Sequence, residues 1–233
     1  MSENTVIVTR NLEKTYKDNG VPVEAIRGID FKLEKGEFTA IRGPSGSGKT
    51  TFLNMVAGLD TPTGGEVELS GNLISSMSGR ELSRYRRDNI GFIFQAYNLF
   101  PVLTVEENVE YIMLLQGIGK TERHARVMKI LKQVELQDYA HRLPSRLSGG
   151  QQQRVAVARA MVSEPALVIA DEPTANLDST TSGDLLDIMR KLNEETGMTF
   201  LFSTHDEIVM QRARKVVTIR DGLLHKTEEA GTN

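Results

Sequence analysis

The chain has 233 residues, 39% of them hydrophobic and 25% charged, a composition typical of a globular protein with one large domain. Its 28 basic and 31 acidic side chains give a net charge of −3, which excludes a broad electrostatic attraction to nucleic acid or to an anionic membrane. The lack of cysteine excludes disulfides and thiolate metal sites. We expect no secretory signal and no membrane-spanning segment, because no apolar stretch reaches about 18 residues.

Short apolar runs predict strands that are buried on both faces, as in a parallel sheet. These runs are FTAI at 38–41, IGFIF at 90–94, ALVIA at 166–170 and TFLFST at 199–204. Helical stretches separate them, for example TTFLNMVAGL at 50–59, in which Phe52 and Val56 share one face. The pattern predicts an α/β fold.

A glycine-rich stretch, GPSGSGKTT at 43–51, lies between the first run and this helix. It fits G-x-x-x-x-G-K-[ST] in the strand–helix context that a phosphate-binding P-loop requires. Backbone N–H groups and the helix dipole would surround a polyphosphate, Lys49 would neutralise its charge, and the Thr50 hydroxyl would hold Mg²⁺. A flexible surface turn is the alternative, but it leaves the spacing unexplained. The predicted nucleotide-binding residues are Gly43, Pro44, Ser45, Gly46, Ser47, Gly48, Lys49, Thr50 and Thr51.

Charged helical segments follow Gln95, the residue after the second run. In TERHARVMKILKQVEL at 121–136, apolar residues recur at the spacing of one helix face. They are Val127, Ile130, Leu131 and Val134. We predict a helical subdomain over about 96–160.

The remaining chain is assigned to an α/β core and a short tail. The core is predicted to comprise about 1–95 and 161–224, with the helical subdomain inserted between them. The tail HKTEEAGTN at 225–233 is polar and is predicted to be disordered.

A second glycine-containing helix start lies in LSGGQQQRVAVARAM at 147–161. Ser148 and two glycines before an alanine-rich helix predict another place where an anion could bind. The alternative is an ordinary helix cap with glycines for close packing. The chain thus has two predicted phosphate-binding helix ends and one lysine-bearing loop.

Asp171 and Glu172 end the third apolar run. Neighbours on an extended backbone face opposite sides, so the two carboxylates are predicted to have different roles. We expect Asp171 to face Mg²⁺ through water, and Glu172 to act as general base toward an attacking water. The alternative is an acidic strand end that only faces solvent.

His205 follows the fourth run, where an imidazole could hydrogen-bond the γ-phosphate or the attacking water. We expect His124, His141 and His225 to be structural or solvated. Ligands bind at the carboxyl ends of strands in open α/β sheets, so the groups after the four runs are predicted to meet at one edge.

In order along the chain, GPSGSGKT, Gln95, LSGGQ, LVIADEP, NLD and His205 resemble the nucleotide-binding subunit of an ABC transporter. The likeness covers nearly the whole chain, and LSGGQ separates this family from other P-loop enzymes. EAIRGIDFKLEKGEF, NIGFIFQAYNLFPVLTVEENVE and YKDNGVPVE are similar to ATPases of the macrolide-efflux and lipoprotein-release type. The resemblance implies a P-loop NTPase core with a parallel-rich sheet, an N-terminal antiparallel β part and an inserted helical subdomain.

The family implies a head-to-tail homodimer in which each ATP lies between one chain's P-loop and the other chain's LSGGQ. The signature residues that would meet the partner's nucleotide are Ser148, Gly149, Gly150 and Gln151. By the same resemblance, Tyr16 would stack on adenine, Gln95 would touch and sense Mg²⁺, and Asp178 would link the two sites. Tyr16 alone could equally be a surface tyrosine, and stacking does not distinguish adenine from guanine.

A membrane permease is the further partner that the family implies, with this chain on the cytoplasmic face of the membrane and no nucleic acid bound. The segment AYNLFPVLTVEENV, after Gln95, would form a groove for a cytoplasmic helix of that permease; the alternative is that it only packs the subdomain. The groove residues are predicted to be Tyr97, Leu99, Phe100 and Val102.

Two departures from the usual family pattern leave the expected ATP hydrolysis intact. Arg42 precedes the P-loop where an apolar residue is commoner, and TAN at 174–176 replaces TGN. Neither change removes a group that the chemistry requires. A cell-division or signalling complex that transports nothing remains an alternative setting for the same ATPase. A DNA-repair ATPase is disfavoured, because the sequence has no sustained heptad run and no strongly basic surface.

Overall fold

Ten strands and seven α-helices occur in residues 4–18 and 20–229, the part of the chain that the computed structural model describes. The strands are β1 (Thr5–Asp18), β2 (Val21–Glu34), β3 (Phe38–Arg42), β4 (Gly64–Leu69), β5 (Asn72–Leu73), β6 (Ile90–Ile93), β7 (Leu167–Asp171), β8 (Thr199–Thr204), β9 (Lys215–Arg220) and β10 (Leu223–Glu229). The helices are α1 (Lys49–Val56), α2 (Gly79–Asn89), α3 (Val105–Leu115), α4 (Lys120–Gln133), α5 (Gly149–Met161), α6 (Ser179–Thr196) and α7 (Glu207–Arg212).

The larger sheet has six strands in the order β10-β9-β3-β8-β7-β6. All neighbouring pairs from β9 to β6 are parallel, and only β10 runs antiparallel to its neighbour. The four apolar runs form β3, β6, β7 and β8, so the predicted parallel-rich sheet is confirmed. Parallel strands place their carboxyl ends at one sheet edge, which is where a ligand site is expected.

The strands of this sheet are apolar along their length because both faces are covered. On β8, Phe200 and Phe202 belong to the apolar cluster that includes residues of helices α3 to α6. Leu201 belongs to a second cluster, which includes residues of α1, β1 and β2. Phe38 of β3 lies with its ring centroid 4.8 Å from that of Phe202. Full burial of one such side chain contributes about 1.5–3 kcal/mol.

The smaller sheet is antiparallel, in the order β2-β1-β4-β5, and confirms the expected N-terminal antiparallel part. Helix α1 lies between the two sheets, and its Phe52 packs edge-to-face on Phe31 of β2 at 5.4 Å. The other side of α1 contacts β7 and β8 of the larger sheet, and Ile41 of β3 belongs to the same apolar cluster. This packing fixes the start of α1 at the carboxyl end of β3.

The helical region contains α3, α4 and most of α5, and its apolar side chains join the cluster on one face of the larger sheet. In α4 the predicted stripe is confirmed, because Val127, Ile130, Leu131 and the following Val134 are all buried. Helix α5 runs through the predicted subdomain boundary at 160 and ends at Met161. None of the helices in residues 4–18 and 20–229 has the length and hydropathy needed to cross a bilayer.

The predicted disordered tail is wrong for residues 225–229, which belong to β10. This strand pairs with β9 through its backbone, and Arg42 of β3 donates a 2.9 Å hydrogen bond to Glu228. Most of its side chains are exposed, so the composition is polar although the backbone is paired. The remainder of the predicted tail, 230–233, lies outside the described residues.

Candidate functional site

Glycine is required at different P-loop positions for different structural reasons. A Cβ on Gly43 would lie 2.1 Å from the Ile219 carbonyl oxygen of β9, and a Cβ on Gly48 would lie 2.6 Å from the Ala25 oxygen of β2. Gly46 has open space around it but a φ of +76°, and Gly48 has a φ of +102°. Both values lie in the left-handed region that favours glycine. The loop therefore passes close to two strands and bends back on itself.

Lys49 begins α1 and folds back across the loop that precedes it. Its Nζ donates hydrogen bonds of 2.8 Å to the Gly43 carbonyl and 3.1 Å to the Pro44 carbonyl. The residue is only 8% exposed, so its charge is held inside the loop rather than in solvent. The helix starts at Gly48 without a side-chain cap from the described residues. Its positive end is thus open toward an anion.

Asp171 and Thr50 bring oxygen ligands together beside the loop. The Thr50 hydroxyl donates to Asp171 Oδ1 at 3.3 Å, and the Ser203 hydroxyl donates to the same atom at 2.5 Å. A hydroxyl and a carboxylate are the kind of donors that Mg²⁺ takes from proteins, with substrate phosphate and water completing the shell. No group of three or more His, Asp or Glu side chains in the described residues forms a metal site by itself. The donor set fits a Mg²⁺ that is bound together with a nucleotide.

Glu172 faces a different side from Asp171. Its Oε1 lies 3.0 Å from His205 Nδ1, while the backbone N–H of Glu172 donates to the Ser203 carbonyl at 3.2 Å. Glu172 has a φ of 47°, a left-handed conformation that is uncommon for a residue with a side chain. The two carboxylates have separate hydrogen-bond partners, but the extended backbone on which the prediction relied ends at Asp171, because Glu172 is left-handed.

A cleft of about 550 Å³ at the carboxyl edge of the sheet is lined by the P-loop, Glu172 and His205, whereas Asp171 is not among its lining residues. Glu172 and His205 form one side of it. The P-loop forms the other side, with all nine predicted residues from Gly43 to Thr51. Ala25 of β2 also lines the cleft, and no sequence pattern predicted it, because a small residue inside an extended strand carries no distinguishing signal.

Gln95 follows β6 at the same sheet edge but is not among the residues that line this cleft. It is exposed, and its carbonyl accepts a 2.8 Å hydrogen bond from Asn176 Nδ2. Asn176 belongs to the TAN segment that departs from the usual pattern. The contact connects the loop after β6 with the segment after Glu172.

Tyr16 lies on β1 with 40% of its surface exposed, and its hydroxyl donates to Asp60 Oδ2 at 2.6 Å. Lys14 Nζ is 4.8 Å from the centroid of the Tyr16 ring and 2.6 Å from Asp60 Oδ1. Burial raises the pKa of Tyr16, and the hydrogen bond to Asp60 raises it further. Burial alone would raise the pKa of Asp60, but hydrogen bonds from Lys14 and Tyr16 outweigh it and lower that pKa. Sequence reasoning missed both partners: Lys14 lies two residues before Tyr16 on the same strand, and Asp60 is 44 residues away along the chain.

The signature stretch begins α5 outside the cleft. Ser148 Oγ accepts from the Gln151 N–H at 3.3 Å, and Gln151 Oε1 accepts from the Ser148 N–H at 3.0 Å, a reciprocal capping box. A Cβ on Gly150 would lie 2.5 Å from Thr181 Cγ2 of α6, and a Cβ on Gly149 would lie 3.1 Å from the Tyr97 hydroxyl. Within one chain, therefore, the stretch has the features of a helix cap with close packing.

Asp178 caps the start of α6 beside this stretch. It accepts hydrogen bonds from the Thr181 hydroxyl at 2.6 Å and from the Thr181 N–H at 2.9 Å. These bonds from the side chain and backbone of Thr181 lower the pKa of Asp178. Asp178 is exposed, so its carboxylate faces outward from the chain.

A separate groove of about 760 Å³ lies between α2, β6 and α3. Of the four predicted groove residues, Phe100 lines it, whereas Tyr97, Leu99 and Val102 are not among its lining residues. Leu99 packs on the core, and Val102 is 81% exposed. Among the residues that the structure describes, the lining of the groove contains five arginines and no carboxylate. The arginines are Arg80, Arg84, Arg86, Arg87 and Arg159, and the apolar lining includes Leu59, Phe92, Phe94, Phe100, Tyr111, Ile112 and Leu115.

Comparison with known proteins places these features in a family. The family model described as ABC transporter matches residues 26–175. The chain is 41% identical to the lipoprotein-releasing system ATP-binding protein LolD of Alcanivorax borkumensis, covering 95% of this chain and 97% of LolD. It is 41% identical to the macrolide export ATP-binding/permease protein MacB of Syntrophobacter fumaroxidans, covering 94% of this chain and 31% of MacB.

Solved structures of a Methanocaldococcus jannaschii relative, the ABC transporter cassette MJ0796, are similar throughout. Its dimeric structure superimposes with a TM-score of 0.88 at 40% identity, covering 97% of this chain and 100% of that chain. A dimeric post-hydrolysis state of the same cassette, bound to ADP and Pi, also gives a TM-score of 0.88.

Proposed function

The chain belongs to the ABC transporter family and is an ATPase cassette, and from that premise we propose that it drives a membrane permease by ATP-dependent closure of a homodimer. The observation that carries the proposal is that the two glycine-containing helix starts lie in different places, one at the cleft and one outside it. One lies with Lys49, Thr50 and Glu172 around the cleft, with Asp171 against Thr50, and the other, at Ser148, lies outside the cleft. A second chain would bring the missing start to the cleft.

Phosphate binding is assigned to the P-loop. Residues 43–51 would surround the phosphates with backbone N–H groups, since the glycines at 46 and 48 allow the backbone to turn inward. Lys49 would exchange its bonds to the Gly43 and Pro44 carbonyls for charge-assisted bonds to phosphate oxygen. The loop is thus preorganised, because the lysine is already held against it.

Mg²⁺ binding is assigned to Thr50 and Asp171, with Gln95 as a further ligand from the loop after β6. Thr50 and Asp171 already contact each other, and Ser203 orients the Asp171 carboxylate. When bound with ATP, Mg²⁺ neutralises charge on the β- and γ-phosphates. Gln95 is exposed and attached to Asn176 through its backbone, so its side chain is available to the ion.

Glu172 is assigned as the general base and His205 as the group that holds the γ-phosphate or the attacking water. The Glu172 carboxylate would accept a proton from water as the water attacks the γ-phosphate. His205 contacts that carboxylate at 3.0 Å, which fixes the orientation of both side chains toward the cleft. The reaction is otherwise catalysed by positioning and charge neutralisation.

The start of α5 is assigned to the neighbouring chain's nucleotide. The hydroxyl of Ser148 and the N–H groups at Gly149 and Gly150 would meet the γ-phosphate bound by the other copy, while Gln151 holds Ser148 through the capping box. Asp178 sits on α6 beside this stretch and would connect the two sites across the interface. Hydrolysis then releases the dimer, because γ-phosphate is part of what joins the chains.

Tyr16 is assigned to the base of the nucleotide. Its ring is fixed by the hydroxyl bond to Asp60 and by Lys14 against the ring. An aromatic ring held in this way offers a stacking surface at little loss of side-chain entropy. The arrangement supports stacking on adenine.

The arginine-lined groove is assigned to the membrane permease, with the ATPase on the cytoplasmic face of the membrane. An exposed Phe100 and the neighbouring apolar residues fit one face of a helix. Five arginines line the groove, and although Arg87 pairs with Asp88, the basic lining favours a helix that carries acidic side chains. A macrolide-export or lipoprotein-release type of permease is the proposed class, and a non-transporting cell-division complex is the second candidate.

Ser148→Arg tests the shared site. An arginine at this exposed helix start would block approach of a second chain but leaves the cleft of its own chain intact. We expect ATP hydrolysis to stop while ATP binding to the monomer, measured by calorimetry, is unchanged. Loss of monomer binding would contradict the shared-site proposal, and so would normal hydrolysis.

A further inference from the structure

Gln153 is a fully buried polar residue in the second turn of α5. Its Nε2 donates a 2.6 Å hydrogen bond to the Pro173 carbonyl, and its Oε1 has no partner within residues 4–18 and 20–229. A buried amide oxygen without a partner is unfavourable, so packing alone does not explain a glutamine here. The contact to Pro173 is therefore the interaction that requires explanation.

The acceptor of this bond lies in the residue directly after Glu172. Glu172 has a φ of 47°, and a residue that precedes proline is further restricted in its backbone conformation. Such a conformation persists only where surrounding contacts hold the backbone on both sides. On one side, the Glu172 N–H donates to the carbonyl and the hydroxyl of Ser203. On the other side, Gln153 holds the Pro173 carbonyl.

We propose that Gln153 is a positioning residue for Glu172, acting through the Pro173 carbonyl. The hydrogen bond keeps the Glu172 backbone in its unusual conformation, and this directs the carboxylate to the cleft and to His205. The inference rests on the proposed function, in which Glu172 is the general base.

The position of Gln153 in α5 gives this bond a second consequence. The first turn of the same helix carries Ser148 and Gly150, which we assign to the partner's nucleotide. A rigid helix transmits a shift of its first turn to its second. Binding of the partner's nucleotide to the signature stretch would therefore move the Gln153 amide. Gln153 thereby couples the nucleotide of one site to the catalytic glutamate of the other.

Gln153→Met removes the donor while keeping a side chain of similar length. A small misplacement of a catalytic group can reduce rate by up to about 10²-fold, and we expect kcat to fall by about 10- to 100-fold. KM for ATP should change by less than about 2-fold, because the P-loop is untouched.

Asn193→Leu is the matched control. Asn193 is also buried, also has a partnerless oxygen, and donates to the Gly36 and Met198 carbonyls at the amino edge of the sheet. We expect this variant to lower the melting temperature without lowering kcat of the folded protein. Equal kcat values in the two variants, after correction for folded fraction, would overturn the inference.

Gln153→Glu provides a readout that a purely structural role would not give. A neutral carboxyl can donate to the Pro173 carbonyl, whereas a carboxylate cannot, and burial raises the pKa of a carboxyl. We expect kcat of Q153E, relative to wild type, to rise as pH falls from about 8.5 to about 6, with no such rise in Q153M. Should Q153M fail to fold, a Q153E profile parallel to wild type overturns the proposal.

Glu172→Gln separates this inference from the function on which it rests. If E172Q retains normal turnover, the assignment of the general base is wrong and the proposed function fails with it. If E172Q is inactive but Q153M turns over normally, only the role of Gln153 is wrong.

Discussion

The two glycine-containing helix starts, at α1 and α5, differ in how their free N–H groups are satisfied. Helix α1 begins at Gly48 without a side-chain cap from the described residues, and its buried Lys49 faces the loop. Helix α5 begins at Ser148, whose side chain and that of Gln151 cap each other's backbone. The N–H groups at the start of α1 are therefore free to bind an anion within the same chain. At the start of α5, the cap already uses the Gln151 N–H.

This difference teaches that glycines before a helix do not by themselves define a binding site. At α1 the glycines are required by positive φ angles and by close approach to Ala25 and Ile219. At α5 the glycines allow close packing against Thr181 and Tyr97. A serine hydroxyl that accepts one cap bond still has a proton to donate, so Ser148 can add a phosphate contact without losing its cap.

The largest expected effect is on the α1 side of the comparison. Glu172→Gln removes the base from the cleft, and turnover should fall by about 10²–10⁴-fold while ATP binding persists. Glu66→Gln, at an exposed glutamate paired with Arg10, is the control and should keep wild-type turnover. Steady-state phosphate release measures both. Near-normal turnover of E172Q would remove the catalytic distinction between the two helix starts.

The second largest expected effect is a loss of ATP affinity in Gly48→Ala. Its Cβ would meet the Ala25 oxygen at 2.6 Å in a backbone with φ +102°, so the P-loop must shift. We expect ATP affinity to fall by at least about 10-fold, the loss of one charge-assisted hydrogen bond to phosphate.

Gly71→Ala is the control for backbone strain. It has a similar φ, +78°, but open space around it and a place outside the cleft. It should lose about 1–2 kcal/mol of stability with unchanged ATP affinity. Calorimetric titration with ATP measures the affinity of both variants. Equal ATP affinities of G48A and G71A would show that the P-loop tolerates the displacement.

Ser148→Ala tests the α5 start with a smaller effect. The substitution removes the cap to the Gln151 N–H and should lower the free energy of unfolding by about 0.5–2 kcal/mol. ATP affinity of the monomer should be unchanged, because Ser148 lies outside the cleft. Urea unfolding measures the stability. A reduced monomer affinity for ATP would mean that the two helix starts share one site within one chain.

The smallest effect concerns pH and the cap of α6 beside the α5 start. The pKa of Asp178 is lowered by its bonds from Thr181, so this group contributes stability above its unfolded pKa, near 4. That contribution is lost as pH falls through the lowered folded pKa. Asp178→Asn keeps a capping oxygen but cannot titrate, so its unfolding free energy should depend less on pH below about 4. Identical pH profiles for the two proteins would contradict this assignment.

The sequence predicted the strands that flank the cleft to within about one residue, because both-face burial makes them continuously apolar. β8 coincides with TFLFST at 199–204, and β3 extends FTAI by Arg42 alone. The nine P-loop residues, Glu172 and His205 were predicted to meet, and they do, since motif spacing and parallel topology are both encoded locally.

Other features could not be predicted because no local pattern encodes them. β10 is held by backbone pairing at a sheet edge, so its polar composition indicated disorder instead. The contacts of Asp60 with Tyr16 and Lys14 depend on how β1 lies against the segment that follows α1. Gln153 is one of three consecutive glutamines, and only the fold shows which of them is buried.

The mass of the E172Q protein in solution tests the central claim most directly. Each chain of 25.9 kDa holds a cleft on one surface and the signature start outside it, so ATP should join two chains. With hydrolysis blocked and ATP present, light scattering should give twice the chain mass, and with ADP it should give the mass of one chain. A protein that remains monomeric with ATP at high concentration, even with its membrane subunit supplied, would contradict the account.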